Sequence, residues 1–358
     1  VPGAVDWGVA ERLAIRVAGT EPFSQSYHYD SLAPDFDELT AQAQELVERY
    51  TGWRSSAGDA RARVADRSDW VRANIRSFQR MLVPLTDRLE EKMSTGALAP
   101  VAGRLAGAEM GAVLGWMSTR VLGQYDMLIL EDQDPDEQDI VYFVGPNILS
   151  LEKRFSFPPR EFRLWVALHE VTHRTQFTGV PWLRPYFLSL VKEMLGHVDP
   201  DATQLFRAMG RVADAVRTGD NPLSDGGLFT LFATEDQRRT MDRIGGLMSL
   251  LEGHGDITMD RAGGDRIPSA ERFSAVLRQR RQTMSGPVRL LQRLIGLEAK
   301  LAQYEQGERF IETIERAGGP DYLERAFESP DELPTLAEIR EPDEWMRRVR
   351  PIALAAGS

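Results

Sequence analysis

The chain contains no cysteine. Disulfides and thiolate metal sites are therefore excluded, and the redox compartment is left open. Lysine is nearly absent (Lys92, Lys153, Lys192, Lys300) against abundant arginine, a coding bias that says nothing about chemistry. No stretch reads as a membrane span. The most apolar helical run, 101–118, is short and carries Arg104 and Glu109. No internal repeat or low-complexity tract is present. A formal net charge of −11 argues against nucleic-acid or acidic-membrane partners. Val1-Pro2-Gly3-Ala4-Val5-Asp6-Trp7 shows no secretory signal, so a cytoplasmic location is expected. The first residue is not Met, and Val1 is not taken as the natural start.

Histidine is also scarce, with five residues: His28, His169, His173, His197 and His254. Two of them fall in His169-Glu170-Val171-Thr172-His173, inside the apolar run that begins at Phe162. Ordinary residue usage gives a chance His-Glu-x-x-His in about one chain in a hundred of this length. On a helix, positions i and i+4 share a face, so both imidazoles can grip one metal ion. Glu170 then stands where it can act on a water held by that metal. Two nitrogen ligands, a carboxylate base and open coordination are the constellation of a zinc hydrolase.

A catalytic zinc usually takes three protein ligands. The metzincin pattern fails here, because Gln176 stands where glycine is needed and Gly179 where histidine is needed. The gluzincin pattern takes a Glu from a second helix, followed four residues on by Asp. Met248-Ser249-Leu250-Leu251-Glu252-Gly253-His254-Gly255-Asp256 offers Glu252 as the ligand. Asp256 would accept a hydrogen bond from the outer nitrogen of a ligating histidine. His254 is the rival ligand. It lies about 200° round the helix from Glu252, so both could face one metal only if Gly253 and Gly255 broke the helix.

The overall pattern is α+β and predominantly helical. Helices are expected from Asp35 to about Tyr50, over 67–94 with a break near Pro84, and over 101–118. In the last, Gly103, Gly107, Gly111 and Gly115 line one face, which reads as a close helix–helix contact. Two strand-like runs, Tyr125-Asp126-Met127-Leu128-Ile129-Leu130 and Ile140-Val141-Tyr142-Phe143-Val144, form a hairpin or small sheet beside the metal helix, joined by the acidic segment 131–139. The second run is the candidate edge for pairing with an extended peptide. The metal helix should start near Pro158-Pro159 and end by Gly179 and Pro181. Helices follow at 182–196 and 201–217, then a loop at 218–230. Thr234-Glu235-Asp236-Gln237 is a capping box opening the Glu252 helix. Residues 260–268 read as a loop. Beyond it the chain is helical to about Arg325, then proline-rich. Residues 1–100 are expected as an N-terminal helical region packed on the core, and 101–358 as the metal-binding domain.

The chain resembles the uncharacterised zincin-like metallopeptidases of actinobacteria and relatives, often labelled as associated with deazaflavin-coenzyme biosynthesis. The resemblance rests on 164–173 around the motif, Gly179-Val180-Pro181-Trp182-Leu183-Arg184-Pro185 and Leu250-Leu251-Glu252-Gly253-His254. It extends to Val121-Leu122-Gly123-Gln124-Tyr125-Asp126, Phe143-Val144-Gly145-Pro146-Asn147 and Gly296-Leu297-Glu298-Ala299-Lys300-Leu301-Ala302-Gln303-Tyr304. It implies a zinc-dependent hydrolase fold and no particular substrate.

The expected chemistry is zinc-assisted hydrolysis of a peptide or peptide-like amide. Glu170 takes the proton of the attacking water and delivers it to the leaving amine. By residue type, His254, Tyr304 and Arg281 are candidates for stabilising the oxyanion. The alternative is a zinc-containing binding or assembly protein that keeps the fold without turnover. No glycine-rich loop stands between a strand and a helix to hold a nucleotide-like cofactor.

Overall fold

The computed structural model describes residues 4–21, 23, 26–83, 86, 99–125, 139–196, 234–282 and 297–349. Along these residues run α1 (Trp7–Ala18), α2 (Tyr27–Asp30), α3 (Leu32–Thr51), β1 (Arg61–Ala65), α4 (Arg67–Met81), α5 (Ala99–Ser118), β2 (Gly123–Tyr125) and β3 (Ile140–Val144). Then come α6 (Gly145–Phe155), α7 (Pro159–Gly179), α8 (Leu183–Gly196), α9 (Glu235–Gly263), α10 (Ala270–Gln282), α11 (Leu297–Gly318), α12 (Pro320–Glu324), α13 (Leu336–Arg340) and α14 (Pro342–Arg348). The fold is mostly helical with one small sheet. Two compact units are distinguished: Val1–Gly179 with Thr258–Ser274, and Val180–Ile257 with Ala275–Ser358.

In the first unit the sheet order is β1-β3-β2, with β1 parallel to β3 and β2 antiparallel to it. β3 is buried along its whole length because both its faces are covered. Phe143 stacks on Phe36 of α3 at 3.9 Å. On the other face Val144 joins Ala10, Ala14, Trp70, Val71, Ile75 and Leu114. Ile140 and Tyr142 pack with Ala65 and Ala73. A strand covered on both faces reads as a continuous apolar run, which is why Ile-Val-Tyr-Phe-Val lacks alternation.

β1 lies in a region whose sequence pattern reads as mostly helical. Its sequence, Arg-Ala-Arg-Val-Ala, has one β-branched residue. Its strand state comes from pairing with the distant β3. The strand reading of 125–130 falls largely outside the described residues, and β2 begins earlier, at Gly123. The expected peptide-pairing edge is also corrected. β3 is the central strand, and the sheet edge packed against the metal helix is β2.

The glycine face of α5 does form a close helix contact. A Cβ on Gly107, Gly111 or Gly115 would lie 2.2, 2.4 and 2.5 Å from the carbonyl oxygens of Asp6, Ala10 and Ala14. Only glycine allows α1 and α5 to approach this far, and α1 answers with small residues. Asn147 ties the following segment down. Its Nδ2 donates to the carbonyls of Ser118 and Val121, both at 2.7 Å.

In the second unit the capping box is formed. Thr234 N donates to Gln237 Oε1 (2.7 Å), and Gln237 N to Thr234 Oγ1 (3.2 Å). The helix it opens runs on to Gly263, so the loop expected from 260 starts only at Gly264. Gly264 takes a positive φ of 40° and leads into a short 3₁₀ turn. The proline-rich tail holds two further short helices, α13 and α14. The expected helix over 201–217, the loop at 218–230 and residues 131–138 of the acidic segment lie outside the described residues. Among the described residues no helix is long and apolar enough to cross a membrane.

Candidate metal centre

The helix α7 is set by its sequence. Pro159 opens it, where no intrahelical donor is required. Phe162, Trp165 and Phe157 pack on Phe273 of α10 and bury its first turns. Two buried arginines are satisfied on the way. Arg163 binds Glu152 through Nε (2.8 Å) and Nη2 (3.0 Å), and also Asp35. Arg174, fully buried, binds Asp139 through Nε (3.0 and 3.1 Å) and the carbonyl of Gly58 (2.8 Å). A charge buried without such partners would cost several kcal/mol, on the order of 3–5. These pairs therefore hold α7 in one rotational setting.

In that setting His169 and His173 are half-buried among buried neighbours. Their rings meet edge to face, with centroids 4.7 Å apart and planes at 88°. The ligand atoms of His169, His173 and Glu252 all lie within 4.8 Å of one another. Glu252 is buried on α9. The end of that helix packs beside the motif, where a Cβ on Gly263 would sit 3.4 Å from Leu168 Cδ1. An unbroken α-helix then carries Glu252 about three turns back from Gly263.

His254 is not one of the three. The helix passes through Gly253 and Gly255 without breaking. Gly253 serves a close crossing instead, its would-be Cβ 2.4 Å from the Gly307 backbone of α11. His254 is buried, not solvated, and its ring packs edge-on against Phe327 at 5.3 Å. Asp256 is half-buried one turn beyond Glu252. Tyr304 lies on α11 and Arg281 on α10, but their side chains fall outside the described residues.

Two residues near the motif were not foreseen as parts of the site. His173 Nδ1 is 2.9 Å from Oε1 of Gln176, one turn on along the same helix and fully buried. Gly123, the first residue of β2, lies against Glu170. A Cβ there would be 2.5 Å from Glu170 Cγ and 2.8 Å from its Cδ and Oε1. Glu170 itself is buried, at 8% exposure. The signal for Gln176 was its spacing, three after a ligand histidine. Gly123 gave none without the fold.

Two imidazole nitrogens and one carboxylate oxygen suit zinc by donor type, and three such donors leave a coordination position open. A tetrahedral zinc site brings ligand atoms to roughly 3.4 Å apart, given bonds of about 2.0–2.2 Å. A His-Glu-x-x-His helix, a Glu from a second helix and a strand beside the intervening Glu define a zincin-type architecture. The zincin-like metallopeptidase family matches residues 5–346, and the chain belongs to it. The chain is also similar to a candidate hydrolase with a novel fold from Chloroflexus aurantiacus, known from a crystal structure. Identity is 30%, the match covers 96% of this chain and 98% of that one, and the TM-score is 0.70. No curated protein matches the chain.

Proposed function

We propose that the protein is a zinc-dependent hydrolase that cleaves a peptide or peptide-like amide. The observation that carries this reading is the convergence of His169, His173 and Glu252 within 4.8 Å, with Glu170 at the next helical position after the first ligand. His169, His173 and Glu252 would hold the metal. Bound zinc supplies a Lewis acid that polarises the scissile carbonyl and acidifies the attacking water.

The remaining work falls to the chain. Glu170 takes the proton from the attacking water and passes it to the leaving amine nitrogen as the C–N bond breaks. Burial beside Gly123 restricts its carboxylate to one side of the helix, which keeps the base oriented. β2 has β3 on one side only among the described residues, so an extended substrate can pair along its other edge. Asp256, one turn beyond Glu252, accepts a hydrogen bond from a ligating imidazole. His254 and Tyr304 remain candidates for stabilising the oxyanion. A peptide-like substrate and a cytoplasmic setting complete the reading. The link to deazaflavin-coenzyme biosynthesis rests on the sequence resemblance.

The test is zinc content and turnover of a peptide library, wild type against Glu170→Gln. The variant should keep fold and zinc and lose at least ~100-fold in hydrolysis, the low end for general-base catalysis. Equal rates on a substrate that the wild type cleaves would overturn the base assignment. Stoichiometric zinc with no cleavage across the library would favour the binding or assembly role.

A further inference from the structure

We infer that Gln176 is a positioning residue for the metal centre. By accepting a hydrogen bond from His173 Nδ1–H, it fixes the tautomer in which Nε2 is the free ligand atom. This rests on the zinc reading proposed above and concerns a residue outside the ligand set.

The Nδ1–Oε1 separation of 2.9 Å is a full hydrogen bond. A neutral imidazole has one N–H and one lone pair, so donating from Nδ1 leaves Nε2 unprotonated. Gln176 has no exposed surface. Burying an amide at a position facing the core costs free energy unless the amide is hydrogen-bonded. An apolar side chain of the same length would pack there without that cost. The contact to His173 Nδ1 satisfies the amide oxygen.

Geometry makes the contact inherent to the helix. Residues three apart are neighbours on one face, so Gln176 reaches its own helix's second ligand without help from another element. Ring rotation about Cβ–Cγ would lose the bond, so the ring plane is fixed along with the tautomer. The choice of an amide also has an electrostatic meaning. Two neutral imidazoles and one carboxylate leave a divalent ion with a net charge of about +1. A carboxylate at 176 would hold the ring equally well but would add a further negative charge near the ion. Glutamine positions the ring without adding charge.

The test uses the full chain and three forms: wild type, Gln176→Met (unbranched, similar in length, no acceptor oxygen) and Gln176→Glu (acceptor retained). The tautomer of His173 is read in metal-free protein by 15N-edited NMR at a pH where the ring is neutral. Zinc affinity is read by competition with a chelator. The wild type and Gln176→Glu should carry the proton on Nδ1, and Gln176→Met should lose that preference. Gln176→Met should bind zinc about 10–100-fold more weakly, and Gln176→Glu at least as tightly as wild type. Far-UV circular dichroism confirms that each variant is folded, and Gln176→Glu shows whether the acceptor oxygen alone restores affinity. A wild-type ring protonated on Nε2, or a folded Gln176→Met with wild-type zinc affinity, overturns the inference. A wild type that takes up no zinc overturns the metal reading itself, whatever the tautomer.

Discussion

Gly123 and Glu170 touch so closely that no side chain fits at 123 while the Glu170 carboxylate stays where it is. A Cβ would come within 2.5 Å of Glu170 Cγ. The absent side chain thus defines the space in which the proposed base sits. Gly123→Ala should leave zinc content unchanged, because none of His169, His173 and Glu252 is displaced. Hydrolysis should fall about 100-fold, the scale expected when a reacting group is misplaced by about 1 Å. Wild-type turnover in Gly123→Ala would show that the carboxylate's position is not fixed by this contact.

Metal loading separates the ligand set from its rival. His173→Ala should lose most of the zinc, read by elemental analysis of the purified protein. His254→Ala should retain it, since His254 packs on Phe327 instead of joining the three. Stoichiometric zinc in His173→Ala would overturn the ligand assignment, and loss of zinc in His254→Ala would promote His254 to a ligand.

Asp256 is assigned a supporting role, and its loss should weaken zinc binding about 10–100-fold without abolishing it. The measurement is chelator competition on Asp256→Ala. Unchanged affinity would remove Asp256 from the centre and leave Gln176 as the proposed support of a ligand ring.

Stability should depend on the buried pair between α7 and the residue before β3. Asp139→Ala leaves the fully buried Arg174 without its carboxylate partner. A loss of about 3–5 kcal/mol is expected in chemical denaturation, because a charge buried without its partner is costly. A loss below about 1 kcal/mol would mean that water reaches Arg174 in the native state.

The grouping of His169, His173 and Glu252 is legible in the sequence. The His169–His173 spacing, Glu252 and the Thr234–Gln237 cap are local patterns of one helix each, and helical periodicity converts them directly into faces. The α5 glycines were legible for the same reason, although their partner, the small-residue face of α1, was not. What escaped reading was non-local. β1 is a strand because β3 pairs with it, and its own five residues do not say so. Without β1 in view β3 reads as an edge, and β2, the strand beside Glu170, has only three residues to mark it. The loop expected at 260–268 begins later, because Gly263, the last residue of α9, keeps helical dihedrals and is buried against Leu168 and Ile267.

The seam between α1 and α5 has a consequence for how sequence change would register. α5 leads within a few residues to Gly123, and Asn147 staples that short connection at Ser118 and Val121. Widening the seam by one methyl group at Gly111 or Gly115 would push α5 off α1 and carry the start of β2 with it. The change would surface as lost turnover, although the mutated residue faces only another helix. In a screen for inactive variants, hits at these glycines would cluster with those in the metal helix and mark a second, purely mechanical region of intolerance.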